Sequence, residues 1–172
     1  TISRFVFLSS IKAVGEGSNS AYSESTICVP EDTYGISKRE AEHCIDEMTS
    51  NSKVSATIIR SPIVYGPRVR GNFLRLMKFV DRQMPLPFGS VQNSRSIVFV
   101  DNLADAIVTA LQHPAAMNET LHVADEHPIS TPQLIEQIAS AMRRQSRVMR
   151  CPIGLLNWMA KISGQSGRMR RL

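Results

Sequence analysis

At 172 residues, 42% hydrophobic and 20% charged, the chain holds apolar side chains enough for the core of one ordinary soluble domain. Its apolar runs fall well short of the roughly 20 residues that cross a bilayer, so no helical span is expected within these residues, and TISRFVFLSS is too short and strand-like for a signal peptide. The net charge of +5 is confined to the tail: residues 143–172 carry eight Lys or Arg and no acid, leaving twelve basic against fifteen acidic residues elsewhere, which favours the basic part of a larger domain over a nucleic-acid or membrane patch.

In chain order, RFVFL (4–8) is a run of β-formers typical of a buried parallel strand, ending at Ser9 and Ser10. A polar loop rich in Gly, Ser and Asn follows as far as Asp32, with Pro30 keeping its predecessor extended. A helix is predicted over 33–50, its apolar positions being Ile36, Ala41, Cys44, Ile45 and Met48. VSATIIR (54–60) is a second strand, so strand, helix and strand form a crossover of a parallel sheet. After the Gly66-Pro67 break a helix is expected at 72–84, closed by PLPFG, and SIVFVD (96–101) reads as a strand leading into the helix DNLADAIVTALQH. Residues 120–124 make a short strand, and Thr131 as N-cap, with Pro132 at the first helical position, opens a helix to 143. The alternation places the chain in the α/β class. Beyond it, PIGLLNWMAKISG (152–164) can be drawn as an interfacial helix anchored by Trp158, and the ending SGRMRRL predicts a chain cut from a longer one.

Tyr34 and Lys38, in EDTYGISKRE, stand four residues apart at a helix start and so project from one face. A phenol of ordinary pKa, about 10, is a poor base at neutral pH, and a nearby ammonium favours the phenolate. Lowering that pKa by about three units takes roughly 4 kcal/mol, which suits a partly buried cleft holding a second cation. Tyr-x-x-x-Lys alone is a weak signal, since a tyrosine packed on a lysine stem has the same spacing. Its context is stronger: Ser9 and Ser10 end a buried strand, where open α/β sheets bind ligands, and a serine hydroxyl there can hold the oxygen whose proton Tyr34 removes. Cys28, Cys44 and Cys151 are scattered and odd in number, predicting free thiols in a reducing cytoplasm. The four histidines, His43, His113, His122 and His127, lack ligand spacing, and no metal site is expected.

The ordered segments FVFLSSIKAVGE, YGISK, TIIRSPIVYGP, GNFLRLM, PLPFG and RSIVFVDNLADAI resemble the extended short-chain dehydrogenase/reductase superfamily, specifically its NAD-dependent nucleotide-sugar epimerase and dehydratase branch. The resemblance implies the C-terminal part of a Rossmann-like doubly wound parallel sheet plus a smaller α/β substrate-binding region. Residues 1–66 would be the second half of a dinucleotide-binding domain, and 67–172 mostly the substrate region, with 94–113 returning to the core sheet. It implies Ser10, Tyr34 and Lys38 as catalytic residues, the last two also holding the cofactor, and Ser61, Pro62 and Ile63 against the nicotinamide. Asn72 and Phe73 would contact the nucleotide sugar, Phe88 the uracil-type base and Arg95 the diphosphate, for which a guanidinium offers a planar fork. The implied cofactor is NAD, with NADP left open because the residue that reads the ribose falls outside this sequence. The implied partner is a nucleotide sugar, with no nucleic acid and no membrane, in a cytoplasmic homo-oligomer.

Two departures narrow the expectation. Ile11 and Lys12 stand where the branch's dehydratases carry an acidic pair, so dehydration lacks its general acid. The Gly-x-x-Gly-x-x-Gly turn that cradles the pyrophosphate does not occur in the sequence, so the chain reads as a fragment. The expected activity is epimerisation, most simply at the 4-hydroxyl of a UDP-sugar. A reductase or dehydrogenase of a keto sugar or other carbonyl is the alternative, and an inactive association module with an apolar sheet edge a further one.

Overall fold

The computed structural model describes residues 2–18 and 20–152; the alternative interfacial helix around Trp158 lies outside them. Two compact units form, one from residues 2–66 with Ile97–Glu126, the other from Pro67–Ser96 with residues 127–152. Along the chain the elements are β1 (Arg4–Ser10), a 3-10 turn (Ile11–Ala13), α1 (Thr33–Ser50), β2 (Ser55–Ser61), β3 (Ile63–Tyr65), α2 (Gly71–Asp81), β4 (Ile97–Phe99), α3 (Val100–Gln112), β5 (Thr120–His122) and α4 (Thr131–Ala141). No helix of the described residues is long and apolar enough to cross a membrane.

The first unit is the expected parallel α/β arrangement. β2 lies between β1 and β5, with Ser9 opposite Arg60, Ser10 opposite Ser61 and Arg60 opposite His122. β3 and β4 form a second parallel pair. Residues 56–61 of β2 are all buried, as befits a central strand covered on both faces. Ile59 and Val98 pack with Leu103, Ala110 and Ala116 into one hydrophobic cluster. At Gly66, with φ +149°, a Cβ would stand 2.5 Å from Val100 Cγ1, so both the backbone conformation and the space require glycine.

Several boundaries and faces differ from expectation. SIVFVD is strand only at Ile97–Phe99, because Asp125 caps the start of α3 from a distant part of the chain: its carboxylate accepts the Phe99 N–H at 3.2 Å and the Asn102 amide at 2.8 Å. Tyr65 donates to the same carboxylate at 2.9 Å. Burial pushes the Asp125 pKa up, but the hydrogen bonds from Asn102, Tyr65 and Phe99 outweigh it and hold the group below its ordinary range. Ser130, not Thr131, is the N-cap of α4; its hydroxyl accepts from the Gln133 N–H while Gln133 accepts the Ser130 N–H, a capping box. The inward face of α1 is only partly the one expected: Ala41 and Ile45 are half-buried, as predicted. Ile36, Cys44 and Met48 are exposed, and the stripe turned inward is Gly35, Lys38, Glu42, Ile45 and Thr49.

In the second unit, α2 and α4 pack around Val80, Leu86, Ile135, Ile138 and Ala139. Leu86 bridges Val148 in parallel, and Arg95 bridges Ile129 in antiparallel sense.

Candidate active site

The tip of β1 and the first turns of α1 are built to meet. Ser10 ends the strand in extended conformation and caps the 3-10 turn, its hydroxyl accepting the Lys12 N–H at 3.3 Å. Among the described residues that hydroxyl donates to nothing. Asp32 caps α1, accepting the Gly35 N–H at 2.7 Å, and also pairs with the Lys12 ammonium at 2.6 Å; Glu16 takes the same ammonium at 2.9 Å. The Lys12 hydrogen bond and the Gly35 N–H pull the Asp32 carboxyl down to about 2. Burial opposes the Lys12 charge, but Asp32 and Glu16 more than compensate and raise its pKa.

Gly35 sets how closely the helix approaches. A Cβ there would overlap the Lys12 carbonyl oxygen and stand 3.1 Å from its carbon. The helix start therefore lies directly on the backbone of the turn that follows Ser10.

Tyr34 is 50% exposed, which excludes a purely core role, and its hydroxyl meets no partner among the described residues. Lys38 follows one turn later: its ammonium donates to the Leu8 carbonyl at 3.1 Å and stands 4.8 Å from the Phe7 ring centroid and 5.9 Å from that of Tyr34. The cation is thus held at the strand end and beside the phenol ring. It meets no carboxylate among the described residues, and two of its three N–H donors remain for a ligand.

Beneath this surface runs a buried polar network that sequence reasoning did not foresee. Glu42, fully buried on α1, accepts the Ser9 hydroxyl, Arg60 Nε at 3.0 Å, Arg60 Nη2 at 2.8 Å and Arg39 Nη1 at 3.1 Å. Burial alone would raise the Glu42 pKa; hydrogen bonds from Arg60 and Ser9 and the Arg60 charge reverse the sign and lower it. Two signals could have found the network. Glu42 continues the one-turn spacing of Tyr34 and Lys38, and Arg60 interrupts an apolar central strand, where a charge requires a partner.

Of the cofactor positions, Ser61 is buried and donates to the Ser9 carbonyl at 3.4 Å, Pro62 is half-buried, and Ile63 presents an exposed aliphatic side chain at the start of β3. Lys38 donors for hydroxyls and an open apolar face at Ile63 are what a ribose and a nicotinamide ring require, so these residues fit the NAD expected.

The remaining positions belong to the second unit. Asn72 is exposed in the first turn of α2, whose N-cap is Arg70. Phe73 and Phe88 pack partly against the core around Val80 and Ile135. Arg95 is half-buried, its guanidinium meets no carboxylate among the described residues, and burial pushes its pKa down.

The NAD dependent epimerase/dehydratase family model matches residues 1–124. A UDP-glucose 4-epimerase of Vibrio cholerae is 40% identical over 174 residues, covering 99% of this chain and 53% of that protein. The N-acetyl-alpha-D-glucosaminyl-diphospho-ditrans,octacis-undecaprenol 4-epimerase of Escherichia coli O157:H7 is 26% identical over 173 residues, covering 95% and 52%. The chain therefore spans about half the length of the curated relatives it matches. Among solved structures, UDP-glucuronic acid 4-epimerase from Bacillus cereus, in complex with UDP-glucuronic acid and NAD, aligns with a TM-score of 0.74 at 22% identity, covering 91% of this chain and 55% of that one. UDP-glucose 4-epimerase of Thermotoga maritima, with UDP-glucose, aligns at 0.74 and 23% identity, covering 87% and 50%. At these identities the structural likeness is one of fold.

Proposed function

The chain belongs to the NAD dependent epimerase/dehydratase family, and from that membership we propose that the protein is an NAD-dependent nucleotide-sugar epimerase acting at the 4-hydroxyl of a UDP-sugar. The observation that supports the reading is the Lys38 ammonium, held at the Leu8 carbonyl of the strand that Ser10 ends and 5.9 Å from the centroid of the Tyr34 ring.

In this reading the Tyr34 oxygen takes the proton of the sugar hydroxyl and later returns it. The Ser10 hydroxyl, accepting from the Lys12 N–H, donates to the same sugar oxygen and orients it. Lys38 supplies positive charge at the ring and gives its two remaining N–H donors to ribose hydroxyls. A bound nicotinamide supplies the reversible hydride acceptor that side chains lack. Ser61, Pro62 and Ile63 form the surface against it, and Tyr34 and Lys38 share its ribose. Asn72, Phe73 and Phe88 contact the sugar and base, and Arg95 neutralises the diphosphate. Lys12 is committed to Asp32 and Glu16 and offers no acid to a leaving hydroxyl, which supports epimerisation over dehydration.

Residence in the cytoplasm and a homo-oligomeric state belong to the same proposal; the free thiols of Cys28, Cys44 and Cys151 support the first, and the exposed Ile36 and Met48 of α1 the second. The test is to incubate the complete encoded protein with UDP-glucose and catalytic NAD. The expected result is conversion to the C4 epimer without net NADH. Repeated with NAD in excess over UDP-glucose, stoichiometric NADH without inversion would instead establish the dehydrogenase alternative.

A further inference from the structure

Each member of the buried Glu42 network is a close chain neighbour of a residue assigned to the site. Ser9 precedes Ser10, Arg60 precedes Ser61, Arg39 follows Lys38, and Glu42 stands one helical turn beyond Lys38. The parallel register sets Ser9 against Arg60 and Ser10 against Ser61, so a single carboxylate on α1 grips the ends of β1 and β2 together. The apolar side chains of α1 lie mostly outside the core: Ile36 and Met48 face solvent, and Ala41 and Ile45 are only partly buried. Apolar packing resists separation but permits sliding, whereas a bidentate Arg–carboxylate pair fixes two oxygens in one plane.

We propose that Glu42 is a positioning residue of the site. Through Ser9 and Arg60 it sets the height and rotation of α1 against the strand tips, and so fixes where Lys38 and Tyr34 stand relative to Ser10. The kinetic consequence rests on the epimerase reading; the geometric one does not.

Glu42→Gln strands the buried Arg60 charge and threatens the fold itself, so the deciding variant is the double E42M/R60M, which replaces both buried charges by apolar side chains of similar length; such paired replacements are often neutral or stabilising. Two readouts follow it at temperatures where it is folded. The first is the NMR shift of the Lys38 ε-methylene, moved by the ring current of Phe7, whose centroid lies 4.8 Å from the ammonium. The second is kcat against KM for UDP-glucose in the complete encoded protein. The expected outcome is loss of the Lys38 ring-current shift, with kcat reduced about tenfold to a hundredfold and KM changed by less than about threefold. A folded double variant that keeps both the Lys38 shift and the wild-type kcat overturns the proposal, because Glu42 then serves stability alone. If the wild-type protein inverts no UDP-sugar, the epimerase reading falls, and the Lys38 shift by itself decides the positioning role.

Discussion

Gly35→Ala sets two physical rules against each other. By intrinsic propensity, alanine in a helix is about 1 kcal/mol better than glycine, so the substitution should stabilise α1. The tertiary structure predicts the opposite sign: the new Cβ overlaps the Lys12 carbonyl oxygen and lies 3.1 Å from its carbon and 3.2 Å from Asp32 Oδ1. The first two atoms are backbone, so no rotamer change relieves the contact, and the Asp32 oxygen is already the N-cap acceptor. Overpacking of this kind costs about 1–3 kcal/mol, and a backbone clash belongs at the upper end; after the propensity gain the net loss is about 2 kcal/mol. For a chain of this size that lowers Tm by about 4–8 °C. Relief requires α1 to withdraw from the turn after Ser10 by some tenths of an ångström, carrying Tyr34 and Lys38 with it, and kcat should fall by about tenfold or more. Thermal unfolding followed by circular dichroism, with turnover of the complete encoded protein, measures both. A G35A variant with Tm at or above wild type would refute the close approach of helix and turn on which the site rests.

Tyr34→Phe should reduce kcat by about 10²–10⁴-fold while changing stability by less than about 0.5 kcal/mol, because the residue is half-exposed and its hydroxyl has no partner among the described residues to lose; turnover and melting curves together check this. Arg95→Met should weaken calorimetric UDP binding by about 1.5–3 kcal/mol and leave Tm equal or higher, since it removes a half-buried cation that meets no carboxylate among the described residues; unchanged UDP affinity would count against a diphosphate role. The carboxyls of Asp32 and Glu42 have folded pKa values below their ordinary 3.8 and 4.5, so their contribution to stability is present above those values and is lost as pH falls through the folded ones. Acid unfolding should therefore steepen below pH 4.5, and Asp32→Asn should flatten the slope between 3.8 and about 2.

Features set by consecutive residues were legible in the sequence. Aromatic and β-branched runs mark β1 and β2, and the 3.6-residue period puts Tyr34 and Lys38 on one face before any coordinates are known. Tertiary structure decided which face of α1 turns inward. The apolar positions Ile36, Cys44 and Met48 pointed to one side, yet Glu42 is the side chain buried, because strand register delivers Ser9 and Arg60 to meet it. The same holds at α3, where Asp125 accepts the N–H at the start of a helix that begins 25 residues earlier in the chain, and at Arg95, whose want of a carboxylate among the described residues cannot be read from its neighbours in sequence. Periodicity is a property of adjacent residues, whereas the burial of a charge depends on what another element brings within hydrogen-bonding distance, and only the folded register determines that.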